Sequence, residues 1–254
     1  MESMIHVGGI SKSFGPVRAV QNLSLDIPRG QLFCFLGPNG AGKTTTIKML
    51  CGLLYPDAGD IRIGGRDLRA DPLSVRRITG YIPDFPFLYE RLTAAEFFDF
   101  SGELYGLPAV EIRGRREESF VEFGISDYAH TLIKDLSHGY RQRLIYAVTL
   151  LHRPEVLFVD EPFIGLDPFT IRLIKNLLRE QAGAGMTIFL TTHILALIED
   201  LADRIGIIVG GRLVAAGTRS ELERASPAAG GSLEEIFFSL AGPERPAGGT
   251  GIHA

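Results

Sequence analysis

The sequence predicts an α/β fold: a mainly parallel sheet, preceded by an antiparallel β piece and interrupted by an inserted helical subdomain. Short apolar runs of strand length alternate with helical patterns through most of the 254 residues. That alternation is what parallel strands joined by crossover helices require. Two strand-like segments precede the first helical pattern, so they cannot belong to a βαβ series. From about Leu92 to Leu151 the strand signal disappears and apolar residues recur at helical spacing.

Taken in order, Ile5–Phe14 and Ala19–Ile27 are the early pair and are expected to lie antiparallel. Leu32–Leu36 is an uninterrupted apolar run, followed by a helical pattern through Ile47, Met49 and Leu50. Ile61–Ile63, Thr79–Ile82, Val156–Val159, Thr187–Leu190 and Ile205–Val209 supply further strands. In the insertion, Phe97, Phe100 and Leu104 share a helix face, and Gly124 and Gly139 punctuate the stretch. After Pro227 the composition shifts to Ala, Gly and Pro, broken by a short apolar helix around Leu233–Leu240, and the last dozen residues are expected to form a flexible tail. The expected organisation is one nucleotide-binding domain over 1–226, with its core in about 1–85 and 152–226 and the helical subdomain in about 86–151, then the helix and tail of 227–254.

Composition narrows the function classes. Apolar residues make up 45% and charged residues 22%, ordinary for a globular protein. A formal net charge of −4 supplies no basic field, so nucleic acid is not an expected partner. Cys34 and Cys51 sit in apolar stretches without Cys or His at metal-ligand spacing and read as reduced core thiols. The longest apolar runs, such as Leu32–Leu36 and Ile205–Val209, fall far short of the ~20 residues of a membrane-crossing helix. The first ten residues show no charged region followed by a long apolar stretch, so no secretory signal is expected. If the protein serves transport, another chain supplies the path.

Directly after Leu32–Leu36 comes Gly37-Pro38-Asn39-Gly40-Ala41-Gly42-Lys43-Thr44-Thr45, which matches GxxxxGK[ST]. The three glycines let the backbone curl so that several N–H groups point at phosphate oxygens. The helix that follows adds its positive N-terminal end. Lys43 is placed for the β- and γ-phosphates of ATP, and the Thr44 hydroxyl for Mg²⁺. Later, Val156–Val159 runs straight into Asp160-Glu161. In a P-loop protein a carboxylate at that strand end lies beside the cradle and can hold Mg²⁺, which is the role expected of Asp160. Glu161, one residue on, is placed to polarise the attacking water.

With these residues in view, the chain from about Ile5 to Leu222 resembles the nucleotide-binding subunits of ATP-binding cassette (ABC) transporters, with the motifs in that family's order. Leu136-Ser137-His138-Gly139-Tyr140-Arg141-Gln142-Arg143 is similar to the signature, usually LSGGQ followed by QR. Ile164-Gly165-Leu166-Asp167 is similar to the D-loop, His193 to the switch histidine, and Phe14 to the aromatic that stacks on adenine. The resemblance implies a RecA-like P-loop NTPase that hydrolyses ATP with Lys43, Glu161 and His193 as catalytic residues. It implies a second cassette subunit packed head to tail, so that Ser137 and Gly139 contact the γ-phosphate held by the partner. It also implies an integral membrane permease and a place on the cytoplasmic face of the cell membrane.

Three residues depart from the family pattern. Asp84 replaces the glutamine that links Mg²⁺ to the transport partner, His138 the first signature glycine, and Tyr140 the signature glutamine. Phe14 in place of tyrosine changes little, because stacking uses the ring face. Around Pro83–Thr93 the chain looks like bacterial exporter-type cassettes that pair with separate permeases. Of the aromatics there (Tyr81, Phe85, Phe87, Tyr89, Phe97, Phe98 and Phe100), most are expected in the subdomain core, with Phe85, Phe87 and Tyr89 the interface candidates. The competing class is a soluble cassette ATPase acting on ribosomes or DNA. The chain shows neither the paired cassettes nor the long coiled coil that such proteins carry.

Overall fold

The computed structural model describes residues 3–227 and 231–242. The chain runs β1 (Ser3–Phe14), β2 (Val17–Pro28), β3 (Leu32–Leu36), α1 (Lys43–Leu50), β4 (Ala58–Ile63), β5 (Arg66–Asp67), α2 (Pro72–Ile78) and β6 (Thr79–Ile82). It continues through α3 (Ala94–Leu104), α4 (Ala109–Glu122), α5 (His138–Leu150), β7 (Val156–Asp160), α6 (Pro168–Gly183) and β8 (Thr187–Thr192). β9 (Arg204–Val209), β10 (Arg212–Gly217), α7 (Arg219–Ala225) and α8 (Leu233–Ala241) complete it. The tail expected beyond α8 lies outside the described residues.

The strands form two sheets, a four-stranded one in the order β2-β1-β4-β5 and a six-stranded one in the order β10-β9-β3-β8-β7-β6. In the second, β9, β3, β8, β7 and β6 are mutually parallel, joined by crossovers as the alternating pattern requires. The early pair is antiparallel, with Ile5 opposite Ile27 and Phe14 opposite Val17.

Three strands differ from expectation. Ile61–Ile63 is the buried end of β4 and pairs antiparallel with β1, Ile5 opposite Ile63 and Val7 opposite Ile61. It therefore extends the early sheet rather than the parallel one. The edge strands β5 and β10 give little apolar signal, β5 because it is only Arg66–Asp67 and β10 because it ends in the small residues Ala215, Ala216 and Gly217. The Gly210-Gly211 pair before β10, with φ of 54° and 78°, is the two-residue hairpin turn that reveals it.

The parallel strands separate two cores by their period of two. Phe33 and Phe35 of β3, Phe158 of β7 and Phe189 of β8 face the four-stranded sheet and α1. The Phe33 and Phe35 rings lie 5.6 Å and 5.4 Å from that of Phe189. Cys34, Leu157, Val159 and Leu190 point the other way, into a core shared with α3, α5, α6 and α8. Both faces are covered, which is why these strands read as continuous apolar runs.

Between β6 and β7 the described residues hold α3, α4, α5 and two short 3-10 turns. A reciprocal capping box of Thr93 and Glu96 starts α3. Phe98 packs edge-to-face on Phe120 of α4 at 5.5 Å, tying the two helices together. Phe97 and Phe98 are buried, whereas Phe85 and Phe87 are 84% and 87% exposed, with Tyr89 half-exposed. Phe100 is also exposed, at 37%, and Tyr81 is partly buried, so fewer of the seven rings enter the core than expected, while the three interface candidates are the most exposed. Among the described residues, no helix is long and apolar enough to cross a membrane.

Candidate functional site

The cradle is the turn from β3 into α1. Gly40 and Gly42 have φ of 77° and 105°, backbone that other residues adopt only with strain. Space enforces the same choice at Gly42 and Gly37: a Cβ there would lie 2.4 Å from the Ala19 carbonyl oxygen and 2.4 Å from the Ile208 carbonyl oxygen, respectively. The loop is thus clasped between β2 and β9. The Gly211 N–H donates to the Ala41 carbonyl at 2.9 Å, fixing it to the β9–β10 turn. Gly42 is the N-cap of α1 and contributes no side chain, so the free N–H groups of the first turn face outward from the loop. Lys43 arches back over the cradle, and its Nζ donates to the carbonyls of Gly37 at 2.8 Å and Pro38 at 3.2 Å.

The carboxylates arrive from the neighbouring strands. Asp160 ends β7 and is 1% exposed. It accepts a hydrogen bond from the hydroxyl of Thr191 on β8, and the Thr44 hydroxyl of α1 also favours its charged form. Burial raises its pKa above the usual carboxylate range, and the two hydroxyls oppose that rise. Glu161 follows in the left-handed region, with φ 48°. Such backbone in a non-glycine residue costs on the order of 1–3 kcal/mol. It turns the carboxylate off the line of the strand and back over the cradle. The Glu161 N–H donates to the Thr191 carbonyl at 3.0 Å, which holds the turn. Its Oε1 lies 3.4 Å from Lys43 Nζ and 3.0 Å from His193 Nδ1, and its Oε2 accepts the His193 N–H at 3.3 Å. Lys43, Glu161 and His193, spread over the length of the domain, therefore meet within hydrogen-bonding and ion-pairing distance.

These groups line an open cleft of about 460 Å³. Asn39, Gly40, Gly42, Lys43, Thr44 and Thr45 form its floor, with Asp84, Glu161, Ile164 and His193 toward one side. Asp84 follows β6, and burial together with the negative charges of Asp160 and Glu161 raises its pKa, opposed by His193. Pro38 and the buried Ala41 complete the loop without lining the cleft.

Other sequence candidates lie apart from this cleft. Phe14 is half-exposed at the β1–β2 hairpin, with Lys12 Nζ 5.9 Å from its ring centroid, and does not line the cleft. Val17, Arg18 and Ala19, on the returning strand, do line it, as does Gly210, and none of these four was singled out from the sequence. No local pattern marks them; only the β1–β2 register and the pinning of Ala19 against Gly42 place them here. Ser137 is exposed and caps α5, accepting the Tyr140 N–H at 3.4 Å, with Gly139 in the same first turn. That turn packs on the 164–167 loop: a Cβ on Gly139 would lie 3.6 Å from Asp167 Oδ2, and one on Gly165 3.6 Å from His138 Nε2. Asp84 and His138 both border a second groove, of about 590 Å³, with Phe85, Phe87 and Tyr89.

Comparison with known proteins identifies the family of the chain. The ABC transporter family model matches residues 20–164. The chain is 40% identical over 219 residues to the daunorubicin/doxorubicin resistance ATP-binding protein DrrA of Streptomyces peucetius, a match covering 86% of this chain and 66% of that protein. It is 36% identical to the linearmycin resistance ATP-binding protein LnrL of Bacillus subtilis, over 86% of this chain and 70% of the relative. It is 40% identical to the Nod factor export ATP-binding protein I of Ralstonia nicotianae, over 86% and 68%. A solved structure described as the ATP binding subunit of an ABC transporter matches with a TM-score of 0.87 at 34% identity, covering 94% of this chain and 99% of that one.

Proposed function

The chain belongs to the ABC transporter family, and we propose that it is the ATP-hydrolysing, nucleotide-binding subunit of a membrane exporter. The observation that carries this reading is the meeting of Lys43, Glu161 and His193 over a glycine cradle. The cradle's N–H groups and Lys43 bind the β- and γ-phosphates. Glu161 accepts the proton of the attacking water, and His193 holds that carboxylate in place.

The oxygen donors present suit Mg²⁺. The Thr44 hydroxyl favours the charged form of the Asp160 carboxylate beside the cradle, and a hard cation takes hydroxyl and carboxylate oxygens. They would hold the ion, with Asp84 at the cleft wall as a further oxygen. Bound there, Mg²⁺ neutralises charge on the β- and γ-phosphates.

Relatives named for drug resistance and for Nod factor export support the export reading. The cassette spans 1–226, with 86–151 as the helical subdomain. A second cassette completes each site, because Ser137 and Gly139 stand on an exposed helix start, outside this chain's own cleft. Such a start is an anion site suited to the partner's γ-phosphate. The groove beside Phe85, Phe87 and Tyr89 receives an apolar segment of the permease. A subunit docked in this way would work at the cytoplasmic face of the membrane.

The test is purification of tagged Glu161→Gln chain with Mg·ATP from detergent-solubilised native membranes. A polytopic protein in stoichiometric amount is the expected companion. Recovery of soluble partners alone would contradict the transport assignment.

A further inference from the structure

The cleft wall has parts of different chemistry. Glu161, His193 and Asp84 mark the part where the γ-phosphate is attacked. Another part of its wall is formed by Val17, Arg18 and Ala19 of β2 and by Gly210, beside Gly42 and the β9–β10 turn. Building on the ATP-binding reading, we infer that Arg18 is a nucleotide-binding residue that contacts the nucleoside end of the triphosphate, at the α-phosphate.

Three observations carry this. The backbone at Arg18 is held against the cradle: the Ala19 carbonyl oxygen would lie 2.4 Å from a Cβ on Gly42 and 2.7 Å from one on Gly211. The Gln21 N–H donates to the Gly211 carbonyl at 2.7 Å, closing the same seam. Arg18 thus has a fixed origin on the cleft wall. Its side chain is exposed, and among the described residues it has no carboxylate within ion-pairing distance. The neighbouring hairpin cation differs in this respect, since Lys12 Nζ is bound to Asp57 at 2.6 Å. Finally, Lys43 is the other Lys or Arg lining the cleft, and its Nζ is committed to the Gly37 and Pro38 carbonyls and to Glu161. A triphosphate carries more negative charge than one such lysine balances. A guanidinium on the facing wall supplies a planar, permanently charged donor for it.

The α-phosphate is common to ATP and ADP, so the assignment predicts a loss that does not depend on the γ-phosphate. Binding of Mg·ATP and Mg·ADP to the purified full chain is measured by titration calorimetry, alongside the ATP dependence of turnover. Arg18→Ala is expected to weaken both nucleotides about tenfold, the scale of one charge-assisted hydrogen bond at an open site. The loss should appear in KM rather than kcat, and Arg18→Lys should recover most of the affinity. Unchanged affinity in Arg18→Ala overturns the assignment, and so does a loss confined to ATP, which would move the contact to the γ end. A wild-type chain that binds neither nucleotide overturns the ATP-binding reading itself, an outcome distinct from normal wild-type affinity with an indifferent Arg18.

Discussion

At the scale of single residues, the site is an arrangement of buried charges that hold one another. Thr191 is the clearest case. It is fully buried, and its hydroxyl donates to Asp160 while its carbonyl accepts from the Glu161 N–H. Thr191→Val keeps the shape and removes the donor, leaving a buried carboxylate with one partner fewer. We expect a loss of about 1–3 kcal/mol in urea denaturation, and a wild-type midpoint would contradict this account of Asp160. Much of the residue scale was legible, because Gly37–Thr45 and Asp160-Glu161 are local patterns whose chemistry depends on near neighbours. Arg18 and Val17 were not. Their relation to the cradle is made by a hairpin and by a close approach to Gly42, neither of which leaves a mark on adjacent residues.

At the scale of elements, helix ends and seams do the positioning. The helical insertion rejoins the core where His152, just past α5, stacks on Tyr105 at the end of α3, with ring centroids 3.9 Å apart and planes 7° apart. His152 Nε2 lies 3.0 Å from the Thr79 carbonyl of β6 and is its donor in the neutral ring. Burial lowers the His152 pKa from 6.5, and the nearby Arg115 charge adds to that. The unfolded chain therefore binds more protons than the folded one below pH 6.5. The stability this neutral imidazole contributes is full above that pH and is lost as pH falls toward the folded pKa. Urea midpoints measured from neutral pH down to about pH 5 should fall, and part of that slope should vanish in His152→Gln. An identical slope in the variant would contradict the assignment. On the exposed side of the same insertion, Phe87→Ala should weaken recovery of the membrane partner and leave the affinity for ATP intact. An unchanged complex would remove Phe87 from the interface. The exposure of Phe85 and Phe87 fits their reading as interface candidates in the stretch that resembles exporter-type cassettes, whereas β5 and β10 were missed because edge strands need little apolar surface.

At the scale of the whole molecule, the two grooves share one residue. Asp84 borders the nucleotide cleft and also the aromatic groove where His138 lies. Two of the departures from the family pattern therefore border the groove that we propose receives the permease. In the sandwich reading, ATP holds two cassettes together and its hydrolysis releases them, a two-state switch that moves an attached partner. Light scattering should show the Glu161→Gln chain shifting from monomer toward dimer on addition of Mg·ATP. Ser137→Ala should weaken that shift, because it alters the helix start that faces the partner's phosphate. A chain that stays monomeric with ATP bound would contradict the sandwich. The mainly parallel sheet, the inserted helices and the cradle were visible from periodicity and punctuation, whereas the order of the strands was not. The bringing of His193 to Glu161 depends on β8 lying beside β7, a pairing that spacing alone does not give.

The central claim is that Glu161 is the base for ATP hydrolysis in a cradle built by Lys43. The most direct test compares steady-state phosphate release by the purified wild-type chain and Glu161→Gln at saturating Mg·ATP. The account predicts turnover by the wild type and a loss of about 100-fold or more in the variant, the scale of general-base catalysis, with ATP still bound. Undiminished turnover in Glu161→Gln would contradict it.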